Sequence, residues 1–256
     1  MAAGRREVVI RVRGLVNRLG GNLIHDGLDL DVYRGEVLGV VGGSGAGKSV
    51  LLRTIVGLNK PVAGTVEVFG QDPVPHRERP EDSVQMRWGV LFQEGALFSS
   101  QTVAENIQVP LREYTDMDQA LMNQITAMKI SMVGLPDDSA RKFPSQLSGG
   151  MKKRAGLARA LAADPEIVFL DEPTAGLDPI SANQFDELLR DLQKSLNLTV
   201  FMVTHDLDTL RATADRIAVL VNRKIKVGTI DELERDPDPW IHEYFCGPRG
   251  HAALSH

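Results

Sequence analysis

Alternating apolar and polar residues predict a β-rich layer near the start of the chain. Residues 7–13 (EVVIRVR) and 28–33 (LDLDVY) follow a two-residue period, which is typical of strands with one exposed face. Residues 18–22 between them (RLGGN) are typical of a turn. Apolar runs predict more strands, several of them buried, at 37–41, 65–69, 88–92, 167–170 and 199–203, and a closing hairpin at 217–221 and 224–227.

Helical periodicity dominates the middle of the chain, from about Thr102 to Ala163. The clearest amphipathic segment is 117–133, and a further helix is predicted at 181–196. Residues 71–82 hold three prolines and several charges, which favours an exposed loop. We interpret one stripe at helical spacing as core: Met122, Ile125, Met128 and Met132.

The most informative stretch is 42–49 (GGSGAGKS), which follows the apolar run 37–41 and precedes a short amphipathic helix. A strand, a glycine-rich turn and a helix in this order are the context that a P-loop requires. Backbone N–H groups of the turn and of the helix start surround a phosphate. We expect Lys48 to neutralise the β- and γ-phosphates and the Ser49 hydroxyl to bind Mg²⁺. The predicted nucleoside triphosphate contacts are Gly42, Gly43, Ser44, Gly45, Ala46, Gly47, Lys48 and Ser49.

An acidic strand end adds chemistry to this phosphate site. The strand 167–170 is followed directly by Asp171 and Glu172. The carboxyl ends of parallel strands face the crevice in which ligands bind. We expect Asp171 to bind Mg²⁺ and Glu172 to polarise a water molecule for in-line attack on the γ-phosphate.

Composition narrows the class of protein. The 256 residues carry a net charge of −5, which argues against a nucleic-acid partner. The single cysteine, Cys246, excludes an internal disulfide and fits a reducing cytosol. No apolar run approaches the roughly 18–20 residues that span a bilayer, so we expect any membrane role to act through partners.

Residues 147–151 (LSGGM) predict a second anion site. Ser148 is a natural N-cap, and Gly149 and Gly150 expose backbone N–H groups at the start of an alanine-rich helix. A structural cap explains Ser148 but not the adjacent glycine pair. A simple NTPase has no use for an anion site separate from its P-loop.

This segment resembles the signature motif of ABC-type ATPases, and the matching motifs follow that family's order over nearly the whole chain. The resemblance implies an α/β fold: a P-loop NTPase (RecA-like) core with an N-terminal antiparallel β layer and an inserted α-helical subdomain. We expect a single ABC ATPase domain over residues 1–256. Its expected parts are a core at 5–93 and 165–235, a helical subdomain at 94–164 and a tail at 236–256.

The resemblance also implies roles for single residues. Gln93 is similar to the Q-loop glutamine, which senses Mg²⁺ and the membrane partner, and Asp178 is similar to the D-loop aspartate. His205 is similar to the switch histidine that contacts the γ-phosphate. The implied enzyme is an ATPase with ATP and Mg²⁺ as cofactors. Its catalytic residues are Glu172, His205 and Gln93, and its Mg²⁺ ligands are Ser49, Gln93 and Asp171.

The family's mechanism implies a homodimer. Two copies are expected to meet head to tail, so that each ATP lies between one P-loop and the partner's Ser148, Gly149 and Gly150. ATP then joins the two copies and hydrolysis releases them. Closure is expected to move Gln93 and the helical subdomain, which drives a membrane permease in the adjacent groove.

Two positions depart from the family's pattern. Met151 ends the signature, where the family usually has Gln. Leu19 falls near the position where many members stack an aromatic ring on adenine. Base–aromatic stacking is worth about 1–3 kcal/mol, so we expect a weaker grip on adenine, or packing by Leu19 with a cation contact from Arg18.

Further stretches resemble the ATPase subunit of bacterial Mla-type phospholipid transporters, which work with MCE-domain lipid-binding proteins. They are 91–98 (LFQEGALF), 109–115 (VPLREYT), 238–245 (DPWIHEYF) and 247–250 (GPRG). This resemblance implies two ATPases, two permease subunits, an MCE protein and a small STAS-domain protein. It places the chain on the cytoplasmic side of the bacterial inner membrane, bound through the permease, in a complex that maintains the outer membrane.

Other classes stay open. An importer for amino acids or another solute has the same ATPase core. A soluble accessory cassette, as in iron–sulfur assembly, is distinguished by copurifying without a permease. Translation and DNA-repair members usually carry two cassettes or a long coiled-coil insertion, and a pure regulatory module would have a degraded catalytic set; neither fits this sequence.

The tail carries three aromatic residues, Trp240, Tyr244 and Phe245, in a chain that is 5% aromatic. One interpretation is that they pack on their own ATPase core. The other is that they dock on a neighbouring subunit, since large aromatic residues dominate interface energetics.

Overall fold

The computed structural model describes residues 6–74, 84–93 and 96–247. Most of the predicted loop at 71–82 lies outside these ranges, as do residues 94–95 and 248–250 of the Mla-like stretches. The chain forms two compact units, residues 1–74 with 201–256 and residues 75–200. Each of the two contains both strands and helices.

The predicted strands and helices form in the predicted order, together with three short helices after residue 206 that were not predicted from the sequence. They are β1 (Val8–Leu19), β2 (Asn22–Tyr33), β3 (Val37–Gly42), α1 (Lys48–Ile55), β4 (Ala63–Val68), β5 (Trp88–Leu91), α2 (Val103–Tyr114), α3 (Gln119–Met132), α4 (Gly149–Ala160), β6 (Ile167–Asp171), α5 (Pro179–Leu196), β7 (Thr199–Val203), α6 (Leu207–Thr213), β8 (Arg216–Val221), β9 (Lys224–Gly228), α7 (Ile230–Glu234) and α8 (Pro239–Cys246). Short 3₁₀ helices lie at Val84–Arg87, Asp137–Arg141 and Pro144–Gln146.

The first unit contains the predicted antiparallel layer, with strand order β2-β1-β4. Its first two strands are 12 residues each, longer than the alternating stretches predict. The predicted five-residue turn shrinks to Gly20 and Gly21, whose φ angles of 54° and 83° suit a two-residue hairpin turn. The strands therefore continue through residues that the sequence assigned to a turn.

The same unit holds a set of strands with mixed direction. β3 pairs in parallel with β8, and Gly42 lies opposite Leu220. β9 pairs antiparallel with β8, as the closing hairpin predicts. Every residue of β3 is buried, because this strand lies inside the core and carries the P-loop at its end.

The second unit contains β5 and β6 as a parallel pair, with Leu91 opposite Leu170. Helix α4 packs directly on this pair. A Cβ placed on Gly89 would lie 1.8 Å from the backbone oxygen of Ala160, so only glycine permits this approach. The predicted α/β fold, with an antiparallel layer and mixed-direction strands, is confirmed.

Helix α3 buries a different face from the predicted one. Of the stripe interpreted as core, Met122 is 7% exposed but Met128 is 48% exposed, so the interpretation is wrong for Met128. Polar residues take part in the buried face because they have partners. Thr126 donates to the Met122 backbone oxygen, and the buried Lys129 forms an ion pair with Asp164. Burial of polar groups is tolerated where hydrogen bonds are made.

The tail forms α8, which packs within the first unit. Asp238 caps the helix by accepting from the backbone N–H of Trp240 at 2.9 Å. Ile241 and Phe245 are 0% and 1% exposed. Trp240 and Tyr244 are half-buried and stack on each other, with ring centroids 5.1 Å apart. These contacts support the interpretation that the tail packs on its own core.

Candidate functional site

The P-loop connects β3 to α1 in a conformation that glycine makes possible. Gly45 and Gly47 have φ angles of 78° and 94°, in the left-handed region. A Cβ on Gly47 would lie 2.4 Å from Ile24 Cγ2 and 2.5 Å from His25 Nε2. The loop therefore lies directly on β2, and no larger residue fits at position 47.

Lys48 points into the curl of this loop. Its Nζ donates to the backbone oxygens of Gly42 at 2.8 Å and Gly43 at 3.3 Å. Helix α1 begins at Lys48, with Gly47 as N-cap and no side-chain cap among the described residues. The first N–H groups of α1 and the ammonium of Lys48 together favour an anion at this place.

A buried polar cluster joins β1 and β2 to the P-loop helix. Asn17 Nδ2 lies 3.0 Å from His25 Nδ1 and donates to Thr54 Oγ1 at 3.1 Å. Thr54 in turn donates to the Val50 backbone oxygen at 2.7 Å. Burial lowers the pKa of His25 to about 4, although the backbone of Gly47 and Ala46 opposes the shift. His25 is therefore neutral at physiological pH, and its Nδ1 accepts from Asn17.

His205 lies beside the P-loop within the first unit. It follows β7, and the backbone N–H of Thr204 donates to the Val40 oxygen at 3.2 Å. The Tyr244 hydroxyl donates to the His205 backbone oxygen at 3.1 Å. A Cβ on Gly43 would lie 3.8 Å from Trp240 Nε1, so the indole packs beside the P-loop. Helix α8 therefore contacts both predicted phosphate-binding segments of this unit.

In the second unit, the carboxyl ends of β5 and β6 bring three predicted site residues to one edge. Gln93 follows β5 and is exposed, while Asp171 ends β6 and is buried. Because Leu91 pairs with Leu170, Gln93 and Glu172 stand at equivalent positions beyond the two strands. This edge concentrates amide and carboxylate groups, as the sequence predicts.

Glu172 has an unusual backbone. Its φ of 52° lies in the left-handed region, which costs a residue with a side chain about 1–2 kcal/mol. The backbone oxygen of Glu172 accepts two hydrogen bonds, from Lys153 Nζ at 2.7 Å and from the Ala175 N–H at 3.3 Å. A hydrogen bond from a charged donor is worth about 1.5–3 kcal/mol, enough to offset the strain.

The signature segment, residues 147–151, begins α4 and lies against residues 177–181. Ser148 Oγ accepts from the Met151 N–H at 3.2 Å. A Cβ on Gly149 would lie 3.6 Å from Leu177 Cδ2, and one on Gly150 would lie 3.9 Å from Ser181. A pocket of about 350 Å³ opens between these residues and Phe185. The second anion site predicted from sequence thus has an exposed serine and a bare glycine backbone.

Asp178 caps α5 through its side chain. It accepts from the N–H groups of Ile180 at 3.1 Å and Ser181 at 3.0 Å. The hydroxyl of Ser181 also donates to it, and this bond is the main reason that the pKa of Asp178 lies below its usual value. Asp178 is therefore ionised and fixed in orientation.

A separate groove of about 490 Å³ lies within the second unit. Its walls are mostly apolar, with Glu113 and Arg159 as charged members. Arg159 donates to the Ala96 backbone oxygen at 2.8 Å, and burial lowers its pKa. The apolar lining includes Trp88, Val90, Phe98, Val109, Pro110 and Tyr114.

Leu19, the predicted adenine contact, ends β1 and is 61% exposed. Arg18 donates to the Gly21 backbone oxygen at 3.3 Å, so its guanidinium folds over the hairpin turn. The exposed leucine is available for packing.

Sequence reasoning missed several residues that contact the site. His25 and Asn17 give no sequence signal, since they lie in strands whose pairing must be known first. Lys153 is one of three consecutive basic residues, and only the structure distinguishes it by burial. The position of Tyr244 at His205 is equally invisible in the sequence.

Comparison with known proteins agrees with these features. The ABC transporter family model matches residues 25–175. The chain is 36% identical to the probable ribonucleotide transport ATP-binding protein mkl of Mycobacterium leprae, covering 94% of this chain and 70% of that protein. It is 38% identical to the intermembrane phospholipid transport system ATP-binding protein MlaF of Haemophilus influenzae, covering 93% and 90%. It is 43% identical to the methionine import ATP-binding protein MetN of Nocardia farcinica, covering 79% and 60%.

Solved structures give the same result. A dimeric structure of the ATP-binding cassette MJ0796 in a post-hydrolysis state, bound to ADP and Pi, matches with a TM-score of 0.76 and 28% identity. The match covers 86% of this chain and 98% of that chain. With its P-loop, signature segment and acidic strand end in the family's order, the chain belongs to the ABC transporter ATP-binding family and is an ABC-type ATPase.

Proposed function

We propose that the predicted site residues act in ATP hydrolysis as follows. The P-loop and Lys48 bind the β- and γ-phosphates, Glu172 polarises the attacking water, and His205 contacts the γ-phosphate. The hydroxyl of Ser49, the amide of Gln93 and the carboxylate of Asp171 are all oxygen donors, which fits Mg²⁺. Bound Mg²⁺ supplies charge neutralisation at the phosphates. The turned-in Lys48 and the uncapped start of α1 support this assignment.

The active form in this proposal is a head-to-tail homodimer. The exposed Ser148 and the bare backbone of Gly149 and Gly150 contact the ATP held by the partner's P-loop. Exposure of these residues in one chain supports a role toward a second chain. The similar cassette MJ0796 is a dimer in its post-hydrolysis state with ADP and Pi, which supports a dimer here.

The proposed cargo is phospholipid, moved with an MCE-domain partner. The observation that carries this proposal is the similarity to MlaF over 93% of this chain and 90% of that protein. The Mla-like stretches at 91–98, 109–115 and 238–250 add support. The proposed assembly contains two copies of this chain, two permease subunits, an MCE protein and a small STAS-domain protein. It works at the cytoplasmic face of the bacterial inner membrane and maintains the outer membrane.

Membrane attachment in this proposal runs through the permease. No helix among the described residues is long and apolar enough to cross a bilayer. The 490 Å³ groove offers a place for a cytoplasmic helix of the permease, with its apolar face on Trp88 and Phe98. Phe98 is 51% exposed, which suits a contact that a partner completes.

A charge placed in this groove tests the attachment. Phe98→Asp should abolish copurification with the membrane subunits and leave ATP binding by the isolated chain intact. Phe143→Asp is a matched control, since Phe143 is 41% exposed in the same unit but lies outside the groove. Equal loss of assembly in both variants would contradict the groove as the docking place.

Identification of the copurifying subunits tests the cargo. Tagged full-length chain is purified from detergent-solubilised membranes, and its partners are identified by mass spectrometry. An MCE-domain subunit supports the phospholipid proposal. A solute permease with an amino-acid receptor and no MCE subunit favours the second candidate, a solute importer, to which the 43% identity with MetN points.

A further inference from the structure

Lys153 is a buried cation to which the proposed reaction assigns no role. It lies on α4, five residues after Ser148, and is only 4% exposed. Burial of an ammonium group is costly unless strong hydrogen bonds replace its water. A lysine at a position where an apolar residue would fill the same space therefore points to a specific contact.

That contact is the backbone of Glu172. Lys153 Nζ donates to the backbone oxygen of Glu172 at 2.7 Å, and Glu172 has the left-handed φ of 52°. The φ of a residue fixes the direction in which its side chain leaves the backbone. Strained backbone of this kind persists only where surrounding groups hold it, and it clusters at active sites. The Lys153 hydrogen bond is one such group.

Helix α4 touches the acidic strand end at a second place. Gly149 and Gly150 lie against Leu177 and Ser181, which flank Asp178. Helix α4 therefore contacts the segment from Glu172 to Ser181 near both of its ends. Because α4 begins at the signature segment, one short helix joins Ser148 to the Lys153 contact with the Glu172 backbone.

We propose that Lys153 is a positioning residue that holds the Glu172 backbone in the orientation needed for hydrolysis. It thereby links the signature segment, which contacts one ATP of the dimer, to the carboxylate that acts on the other. This inference rests on the roles proposed above for Glu172 and Ser148.

Lys153→Met tests the inference because methionine has a similar shape and no donor. The turnover number, kcat, should fall roughly 10- to 100-fold, the usual effect of a small misplacement of a catalytic group. Affinity for a non-hydrolysable ATP analogue should change less than about twofold. ATP should still hold two chains together, and for longer than in the wild type, because binding is intact and hydrolysis is slow. Lys153→Arg keeps a cationic donor and should restore part of kcat.

Lys152→Met is the matched control, with the same charge change one residue earlier on a half-buried position of the helix. It should keep wild-type kcat within about twofold. The inference is overturned if Lys153→Met has the kcat of Lys152→Met, or if kcat, ATP affinity and melting temperature fall together. Should Lys153→Met not fold, Lys153→Arg decides: a partly reduced kcat with intact ATP affinity supports the inference, and kcat and ATP affinity that fall together refute it. Glu172→Gln is measured in parallel to distinguish failure of the proposed function from failure of the Lys153 inference. If Glu172→Gln still hydrolysed ATP, the proposed role of Glu172 would be refuted, and not the role of Lys153 alone.

Discussion

The buried histidine under the P-loop should make the stability of the protein depend on pH. His25 is neutral in the native state because burial lowers its pKa to about 4, whereas an exposed histidine titrates at 6.5. Between these values the unfolded chain binds a proton that the native chain does not bind. The contribution of His25 to stability is therefore complete above pH 6.5 and is lost progressively as the pH falls toward 4.

The size of the effect follows from the two pKa values. Between about pH 7.5 and pH 5, the free energy of unfolding should decrease by up to about 2 kcal/mol on account of His25. His25→Gln removes the titrating group and keeps a side-chain oxygen that can accept from Asn17. The variant should be less stable at pH 7.5 but should lose about 2 kcal/mol less on acidification.

Urea denaturation followed by circular dichroism, at a series of pH values, measures this difference directly. His242→Gln is the matched control, because it makes the same substitution at a histidine that is exposed on α8. If the wild-type and His25→Gln stabilities changed in parallel from pH 7.5 to 5, the neutral buried histidine would be refuted.

Four other predictions concern the site and the tail. Glu172→Gln should retain ATP binding and lose turnover by about 10²–10⁴-fold, since the amide keeps the shape but not the base; steady-state ATPase assays with analogue binding check this. Lys48→Ala should weaken nucleotide binding itself, and unchanged affinity in a filter-binding or calorimetric titration would contradict the P-loop role. Phe245→Ala should cost about 3–5 kcal/mol of stability in urea denaturation because the ring is 1% exposed. ATP binding should change the tryptophan fluorescence because Trp240 lies beside Gly43, and this change should be lost in Trp240→Phe but not in Trp88→Phe.

The sequence predicts the fold well where a pattern has one physical meaning. The apolar run 37–41 followed by GGSGAGKS predicts a strand, a P-loop turn and a helix, and β3, the turn and α1 form as predicted. The parallel strands β5 and β6 then place Gln93 and Asp171 at the same edge, as the sequence predicts. Periodicity succeeds less well on α3, because it counts polar residues as exposed. Lys129 and Thr126 are buried with partners that no local pattern reveals, and Met128 is exposed in their place.

The features that the sequence does not predict depend on contacts between segments that are distant along the chain. Asn17, His25 and Thr54 meet only after two strands and a helix have packed, so their cluster has no sequence signature. The positive φ of Glu172 is equally unpredictable, since glutamate rarely adopts it. The tail left two interpretations open, and its buried Ile241 and Phe245 support packing on its own unit.

ATP-dependent lipid transfer tests the central proposal most directly. The chain is reconstituted with its copurifying membrane subunits in liposomes that carry labelled phospholipid, and transfer to acceptor liposomes is followed after ATP is added. We predict transfer that requires ATP and disappears when Glu172→Gln replaces the wild-type chain. Active ATP hydrolysis by the reconstituted complex with no movement of phospholipid above the Glu172→Gln background would contradict the proposal.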